Sequence, residues 1–328
     1  MKAAVVPAVN GTWQIRDVPR PEPGPTQVLI KVGASGLCYS DVHQTRNWPW
    51  PGDFPRILGH EPVGEVVAVG AAVRTRAVGD RVGAPTLQSS CGRCEWCLRG
   101  EPLFCQRWVG ISFALPGGHA DYMLAEASAT VPLPAALSYE QAAPLFCAGY
   151  TVWSGLRSAV PRPGERVAVL GIGGLGHLAV QYAKAAGFET TAITRSPDKV
   201  DLARSLGADT VVADGDALRR AGGADVILAA SNSYAATGAA LAGLRPDGRV
   251  VLMGISDEPL VVTSDLIFKR QRIIGSQQNG PEYLYEALAL AAAGKVRVYT
   301  ESFPLSEAAH AYRRVANGDV HFRAVLVP

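Results

Sequence analysis

Over residues 1–150 the apolar positions fall in short β-branched runs closed by Gly, Pro or Asp: Val28-Leu29-Ile30-Lys31-Val32, Gly64-Glu65-Val66-Val67-Ala68-Val69 and Arg81-Val82-Gly83-Ala84. Runs of this kind predict strands, and residues 1–7 open the chain with another. No helical period survives over a long window here, and the prolines at 19, 21, 23 and 25 suit an extended surface connection. The residues alone predict a compact antiparallel β domain. Near residue 150 the texture changes. Residues 166–170 read as a buried strand that runs into Gly171-Ile172-Gly173-Gly174-Leu175-Gly176. Residues 177–186 then read as a helix stopped by Gly187. Further strands are expected at 190–194, 210–213, 226–230, 250–253 and 273–275, with helices at 197–206 and 235–244 between them. Six strands joined by crossovers predict a doubly wound parallel sheet. A helix at 282–293, closed by Gly294, precedes expected strands at 296–299 and 324–327.

A chain of 328 residues is long for one core, and two domains are expected. Apolar residues make up 48% and charged residues 18%, which fits a well-buried globular protein. The formal net charge of +2 gives no basis for a nucleic-acid or membrane-surface partner. The first apolar run is broken by Pro7 and makes a poor secretory signal. No apolar stretch is long enough to cross a bilayer. A soluble, cytoplasmic protein is expected, and in that compartment six cysteines point to metal rather than to disulfides.

The cysteines divide into two groups. Cys91, Cys94, Cys97 and Cys105 form C-x2-C-x2-C-x7-C, a closed four-thiolate pattern for one structural zinc, with Gly92 and Gly100 supplying turns. Cys38 begins Cys38-Tyr39-Ser40-Asp41-Val42-His43, and His60, within Gly59-His60-Glu61, stands seventeen positions after His43. Cys38 and His60 are ligand types that zinc prefers, and Cys147 is the natural third, which leaves one position open for chemistry. Both residues are expected in loops between strands. Asp41 has the chemistry to orient the ring of a ligating histidine. Glu61 is near enough to serve as an occasional fourth ligand. Ser40 and His43 suggest a proton path, with His43 toward solvent. All six cysteines are then used, and two zinc ions per chain are expected.

The glycine motif carries more weight for following a strand and opening a helix. Gly171, Gly173, Gly174, Leu175 and Gly176 would bring the backbone close to a dinucleotide pyrophosphate at the helix N-terminus. The second strand ends Thr194-Arg195-Ser196, with no carboxylate before Asp198 and with Lys199 beyond it. A guanidinium flanked by hydroxyls suits a ribose 2′-phosphate, which predicts NADP(H) over NAD(H).

Taken in order, the ligand set, the four-cysteine lobe and the dinucleotide loop resemble the zinc-dependent medium-chain alcohol dehydrogenases. The likeness is closest to the branch of yeast-type and cinnamyl-alcohol-type enzymes, and it covers almost the whole chain. The resemblance implies a GroES-like β-rich catalytic domain over 1–149, a Rossmann domain over 150–292, and a return to the catalytic domain over 293–328. It implies that Asp41 holds the histidine at 60 and that Ser40 and His43 move the proton. It places Arg323 on the cofactor pyrophosphate and aromatic residues such as Trp48 and Trp50 on the pocket wall. It also implies a homo-oligomer, dimer or tetramer. Tyr39 departs from the histidine or arginine common at its position. The expected activity is hydride transfer between NADP(H) and a primary alcohol or aldehyde. The competing readings are an NAD-dependent alcohol or polyol dehydrogenase, an enone C=C reductase, and a nucleotide-binding regulatory or structural zinc protein.

Overall fold

The computed structural model describes residues 1–278 and 280–328. They fall into two compact units, Met1–Cys147 with Val298–Pro328, and Ala148–Arg297. The crossings at 147/148 and 297/298 compare with the expected 149/150 and 292/293.

The first unit is organised by one long strand. Gln27–Leu37 pairs antiparallel with Glu61–Val69 along most of its length. Its other edge takes Tyr122–Glu126 at the N-terminal end and Arg323–Val327 at the C-terminal end. Arg81–Gly83 and Val131–Pro132 extend the sheet on the side of Glu61–Val69. The inward positions of these strands make the core, with Val28, Ile30, Val66, Val82 and Met123 all buried. Each such side chain contributes roughly 1.5–3 kcal/mol on leaving water.

The strands of residues 1–150 pair antiparallel, as expected, and Thr300–Pro304 from the returning segment adds a parallel partner to Arg323–Val327. The strand expected at 296–299 is not formed. The backbone of Arg297, in the middle of that run, bonds elsewhere: the Gln181 side-chain amide accepts from Arg297 N–H at 2.8 Å and donates to Arg297 C=O at 2.9 Å. With both groups of Arg297 taken, pairing starts only at Thr300.

The second unit carries a six-stranded parallel sheet. In spatial order it runs Thr210–Val212, Glu189–Ile193, Arg166–Leu170, Ala224–Ala229, Leu244–Leu252 and Arg272–Gly275. The chain starts at the third of these positions, moves outward to one edge, then returns and fills the other side. That reversal is the switch point of a doubly wound sheet, and ligands bind at the carboxyl ends of the strands beside it. The central strands read as near-continuous apolar runs because helices cover both faces of such a sheet. Val167, Ala168, Val169, Ile227 and Leu228 are all fully buried.

Candidate functional site

The candidate metal-ligating side chains of the first unit reach one point by three local devices. Cys38 follows Gln27–Leu37 and caps the short helix Tyr39–Thr45. Its N–H donates to Asp41 Oδ2 at 2.8 Å, so the carboxylate satisfies an amide that the helix start leaves open. Cys38 and His60 lie outside strand and helix, as expected, while the helix Tyr39–Thr45 was not foreseen because seven residues are too few to show a period in sequence. His60 follows Gly59, whose φ of +105° favours glycine, and it leads into Glu61–Val69. Glu61 sits opposite Gly36 in the strand register, and a Cβ on Gly36 would lie 2.0 Å from Glu61 Oε2. Glycine there makes room for the carboxylate. Cys147 ends the 3-10 turn Ala143–Phe146.

The ligand atoms of Cys38, His60, Glu61 and Cys147 all lie within 4.8 Å of one another. Cys38 Sγ and Cys147 Sγ are 3.9 Å apart, far beyond a disulfide bond. Two thiolates on one tetrahedral zinc, each about 2.3 Å from it, would stand about 3.8 Å apart. Glu61 Oε2 is buried with no hydrogen-bond partner among the described residues, and a cation would satisfy it. The donor set and its spacing therefore fit zinc. The two thiols titrate as a pair: donation from Cys147 holds Cys38 well below the usual thiol range, and the same contact pushes Cys147 up. Burial pushes the Glu61 carboxyl up to about 7, against the nearby Arg323 guanidinium.

The residues around this centre are mostly buried acids and rings. Asp41 Oδ1 lies 3.8 Å from His60 Nδ1, while His60 Nε2 faces Glu61 Oε1 at 3.8 Å. Burial alone would raise the Asp41 carboxyl, but the imidazoles of His119 and His60 hold it far below the usual range. Ser40 Oγ is 3.8 Å from Cys38 Sγ. The ring of His43 does not face solvent as expected, being only 8% exposed. Tyr39 and Trp48 pack on it edge-on, with ring centroids at 5.0 and 5.1 Å. Trp50 lies at 6.5 Å from it and continues through Phe113 to Trp108. This aromatic wall extends from the His43 ring, and Phe113 is a member that sequence reasoning did not single out. Arg323 is buried in the same unit, and its guanidinium bonds the Glu61 carboxylate. That partner was not foreseen.

Sequence reading also missed His119. It is fully buried, and its Nε2 is 3.7 Å from the same Asp41 oxygen that faces His60. The only signal was the preceding pair Gly117-Gly118, which marks a backbone that approaches another chain segment closely. Cβ atoms there would lie 2.4 Å from Leu58 O and 2.3 Å from Pro62 Cβ.

The lobe gathers Cys91, Cys94, Cys97 and Cys105 into a second group of converging ligand atoms. Cys91 and Cys97 sulfurs are 3.9 Å apart, and Cys94 and Cys97 sulfurs 3.5 Å. Backbone N–H groups of Cys91 and Arg107 point at Cys105 Sγ. The Cys91 thiol is drawn down to about 5, first by the Arg93 backbone and then by Arg107. Between Cys91 and Cys105 only Cys105 is buried, so the lobe has no apolar core of its own. A bound metal supplies folding energy in such a segment.

In the second unit Arg166–Leu170 runs into the glycine loop and the helix Gly176–Ala185. Gly171 has φ +85°. A Cβ on Gly176 would lie 1.7 Å from Gly171 O, which shows how tightly strand and helix close. A Cβ on Gly173 would meet nothing within 4 Å. The loop is thus open on the face where backbone must approach a ligand, and the helix start has no side-chain cap on its free N–H groups. These features fit a dinucleotide pyrophosphate. The neighbouring strand Glu189–Ile193 ends at Thr194, whose Oγ1 accepts from Ser196 N–H at 3.2 Å. Arg195 is exposed beside them, Lys199 is half-buried, and no acidic group pairs with Arg195 among the described residues.

Comparison with known proteins agrees with both units. The family model for the alcohol dehydrogenase GroES-like domain matches residues 24–135, and that for zinc-binding dehydrogenase matches residues 174–293. An alcohol dehydrogenase of Geobacillus stearothermophilus is 39% identical over 334 aligned positions, covering 99% of each chain. The crystal structure of an NAD-dependent alcohol dehydrogenase superposes with TM-score 0.92 at 29% identity, covering 100% of both chains. A putative zinc-binding dehydrogenase from Sinorhizobium meliloti, solved with NADP bound, gives TM-score 0.89 at 29% identity, over 100% of this chain and 99% of that one.

Proposed function

The chain belongs to the zinc-dependent medium-chain alcohol dehydrogenase family, and on that premise we propose that it interconverts primary alcohols and aldehydes with a preference for NADP(H). The observation that carries the reading is the convergence of half-buried Cys38 and Cys147 with buried His60 and Glu61 on one point. Cys38, His60 and Cys147 hold the metal, and Glu61 is its occasional fourth ligand. Zinc bound there supplies Lewis acidity toward the substrate oxygen, and the nicotinamide supplies or takes the hydride. Cys91, Cys94, Cys97 and Cys105 hold a second zinc that folds the lobe.

The chain's own residues do the rest. Ser40, beside Cys38, accepts or returns the proton of the substrate hydroxyl, and His43 takes it onward from within its aromatic surround. Trp48, Trp50, Trp108 and Phe113 offer an apolar wall of edge-packed rings, which favours aromatic over charged substrates. Gly171, Gly173, Gly174, Leu175 and Gly176 bind the pyrophosphate. Thr194, Arg195, Ser196 and Lys199 bind the 2′-phosphate, a role supported by the exposed Arg195, which pairs with no acid among the described residues, and by the lack of a carboxylate at the strand end. Arg323 balances the charge of Glu61, and its Nε, which has no partner among the described residues, supports a contact to a cofactor phosphate as well. No described helix is long and apolar enough to cross a membrane. A cytoplasmic homo-oligomer, dimer or tetramer, completes the proposal, and light scattering reads its state.

The testing experiment is oxidation of NADPH and, separately, of NADH by the purified protein with an aromatic aldehyde. Fast NADPH oxidation with a weak NADH rate supports the whole reading. Equal or reversed rates keep the dehydrogenase and overturn the cofactor preference.

A further inference from the structure

His60 is not the only imidazole on Asp41. Asp41 Oδ1 faces three nitrogens: Gly59 N at 3.3 Å, His119 Nε2 at 3.7 Å and His60 Nδ1 at 3.8 Å. The two ring contacts are longer than hydrogen bonds, so they act through the orientation of the ring N–H dipoles toward the carboxylate. Both ring nitrogens are buried, and neither has another partner among the described residues. The far nitrogen of His119, Nδ1, is 3.0 Å from Ser35 Oγ, and Ser35 is fully buried.

That pairing selects a tautomer. If Ser35 donates to Nδ1, the ring proton sits on Nε2 and points at the carboxylate. In the other arrangement Nε2 would turn a lone pair on an anionic oxygen inside a buried site, which is unfavourable. The serine therefore sets His119 as a donor to Asp41, as Asp41 in turn sets His60.

Backbone geometry holds His119 in place. The segment 117–119 pairs with 57–59 through Gly117 N–Ile57 O at 2.9 Å, Gly118 N–Gly59 O at 2.7 Å and His119 N–Leu58 O at 3.0 Å. A Cβ on Gly59 would lie 2.7 Å from His119 Nδ1, so the ring is packed against the residue that precedes the ligand. Trp13 lies on it at a centroid distance of 5.5 Å.

We propose that His119 is a positioning residue for the Cys38–His60–Cys147 centre, acting through Asp41 to hold the His60 ring in its ligating orientation, with Ser35 fixing the His119 tautomer. The ordered relay is Ser35, His119, Asp41, His60. A buried carboxylate shared by two N–H donors and a backbone amide has one resting position. With His119's donor removed, Asp41 is freer to move and His60 loses its fixed partner. Groups behind a metal-ligating histidine tune metal affinity in this way.

The inference rests on the zinc reading above, and the test separates the two. Wild-type protein, His119→Phe, His119→Gln and Ser35→Ala are loaded with cobalt(II) or zinc. Metal release to a chelator is timed, the cobalt visible spectrum is recorded, and far-UV circular dichroism checks the fold. Wild-type protein that binds no metal outside the lobe would sink the zinc reading itself. Given two metals in the wild type, His119→Phe should release the catalytic metal about tenfold faster, with a changed cobalt spectrum and the lobe metal retained. His119→Gln, which restores an N–H donor, should recover most of that loss. If His119→Phe does not fold, Ser35→Ala reads the same relay without touching the packed ring, and faster release is again expected. Release and spectrum unchanged from wild type in whichever variant folds would overturn the inference.

Discussion

The guanidinium of Arg323 is bonded to the carboxylate of Glu61 across 262 positions of sequence, and both side chains are buried beside the Cys38 and Cys147 sulfurs. Closure of the last strand onto Gln27–Leu37 brings this pair together. Removing one partner of a buried ion pair leaves the other charge uncompensated, at about 3–5 kcal/mol. Arg323→Ala should therefore lower unfolding free energy by that order in denaturant titration. Glu61→Gln with Arg323→Ala should cost clearly less than the two single changes summed. Strict additivity would mean that the pair is not coupled.

The glycine loop makes opposite demands at two positions. At Gly176 the Cβ of alanine would collide with Gly171 O, so Gly176→Ala should destabilise the second unit by about 1–3 kcal/mol. At Gly173 a Cβ meets no protein atom. Gly173→Ala should melt as the wild type does yet bind NADPH about tenfold or more weakly, since the methyl fills the space kept for the pyrophosphate. Calorimetry and cofactor titration check the pair, and normal NADPH affinity in Gly173→Ala would speak against the loop as the phosphate site.

Arg195 tests the cofactor preference. Arg195→Asp replaces a charge-assisted donor with a carboxylate suited to free ribose hydroxyls, and kcat/KM for NADPH should fall by about 10–100-fold. The value for NADH should hold or rise. An unchanged NADPH value would place the 2′-phosphate elsewhere or nowhere.

A stability effect of pH is expected in the second unit. Arg249 is buried, and its guanidinium donates to both oxygens of Glu165, at 3.0 and 2.5 Å, and to Ala159 C=O at 2.7 Å. The Arg249 hydrogen bond holds the Glu165 carboxyl below its usual range, against partial burial. A depressed carboxyl stabilises the fold above its unfolded value, and the contribution is lost as pH falls through the folded one. Glu165→Gln should therefore cost about 1–3 kcal/mol at pH 7, at the lower end because Glu165 is partly solvated. The gap from wild type should close below about pH 4. A gap that persists at low pH would show that packing, not charge, explains the cost.

Much of the molecule could be read from short-range pattern, and what escaped depended on long-range contact. Arg166–Leu170, the glycine loop and the helix behind it were legible because strand, turn and helix chemistry sit side by side in sequence. The four lobe cysteines were legible for the same reason. The strand expected at 296–299 failed because a distant amide, that of Gln181, takes the backbone groups of Arg297. The helix at Tyr39–Thr45 was hidden by its brevity and its polar residues. His43 was expected toward solvent, because nothing local showed that Tyr39, Trp48 and Trp50 surround it. His119 depends on loop contacts with residues 57–59 and the Arg323–Glu61 pair on strand register, neither of which spacing encodes.

The central claim is that Cys38, His60 and Cys147 hold a catalytic zinc separate from the one in the lobe. Metal content and turnover, measured together on wild type and Cys38→Ser, test it most directly. The account expects about two zinc per wild-type chain, and about one in Cys38→Ser with the fold kept and aldehyde reduction abolished. Cys38→Ser that keeps two zinc and normal turnover would contradict it.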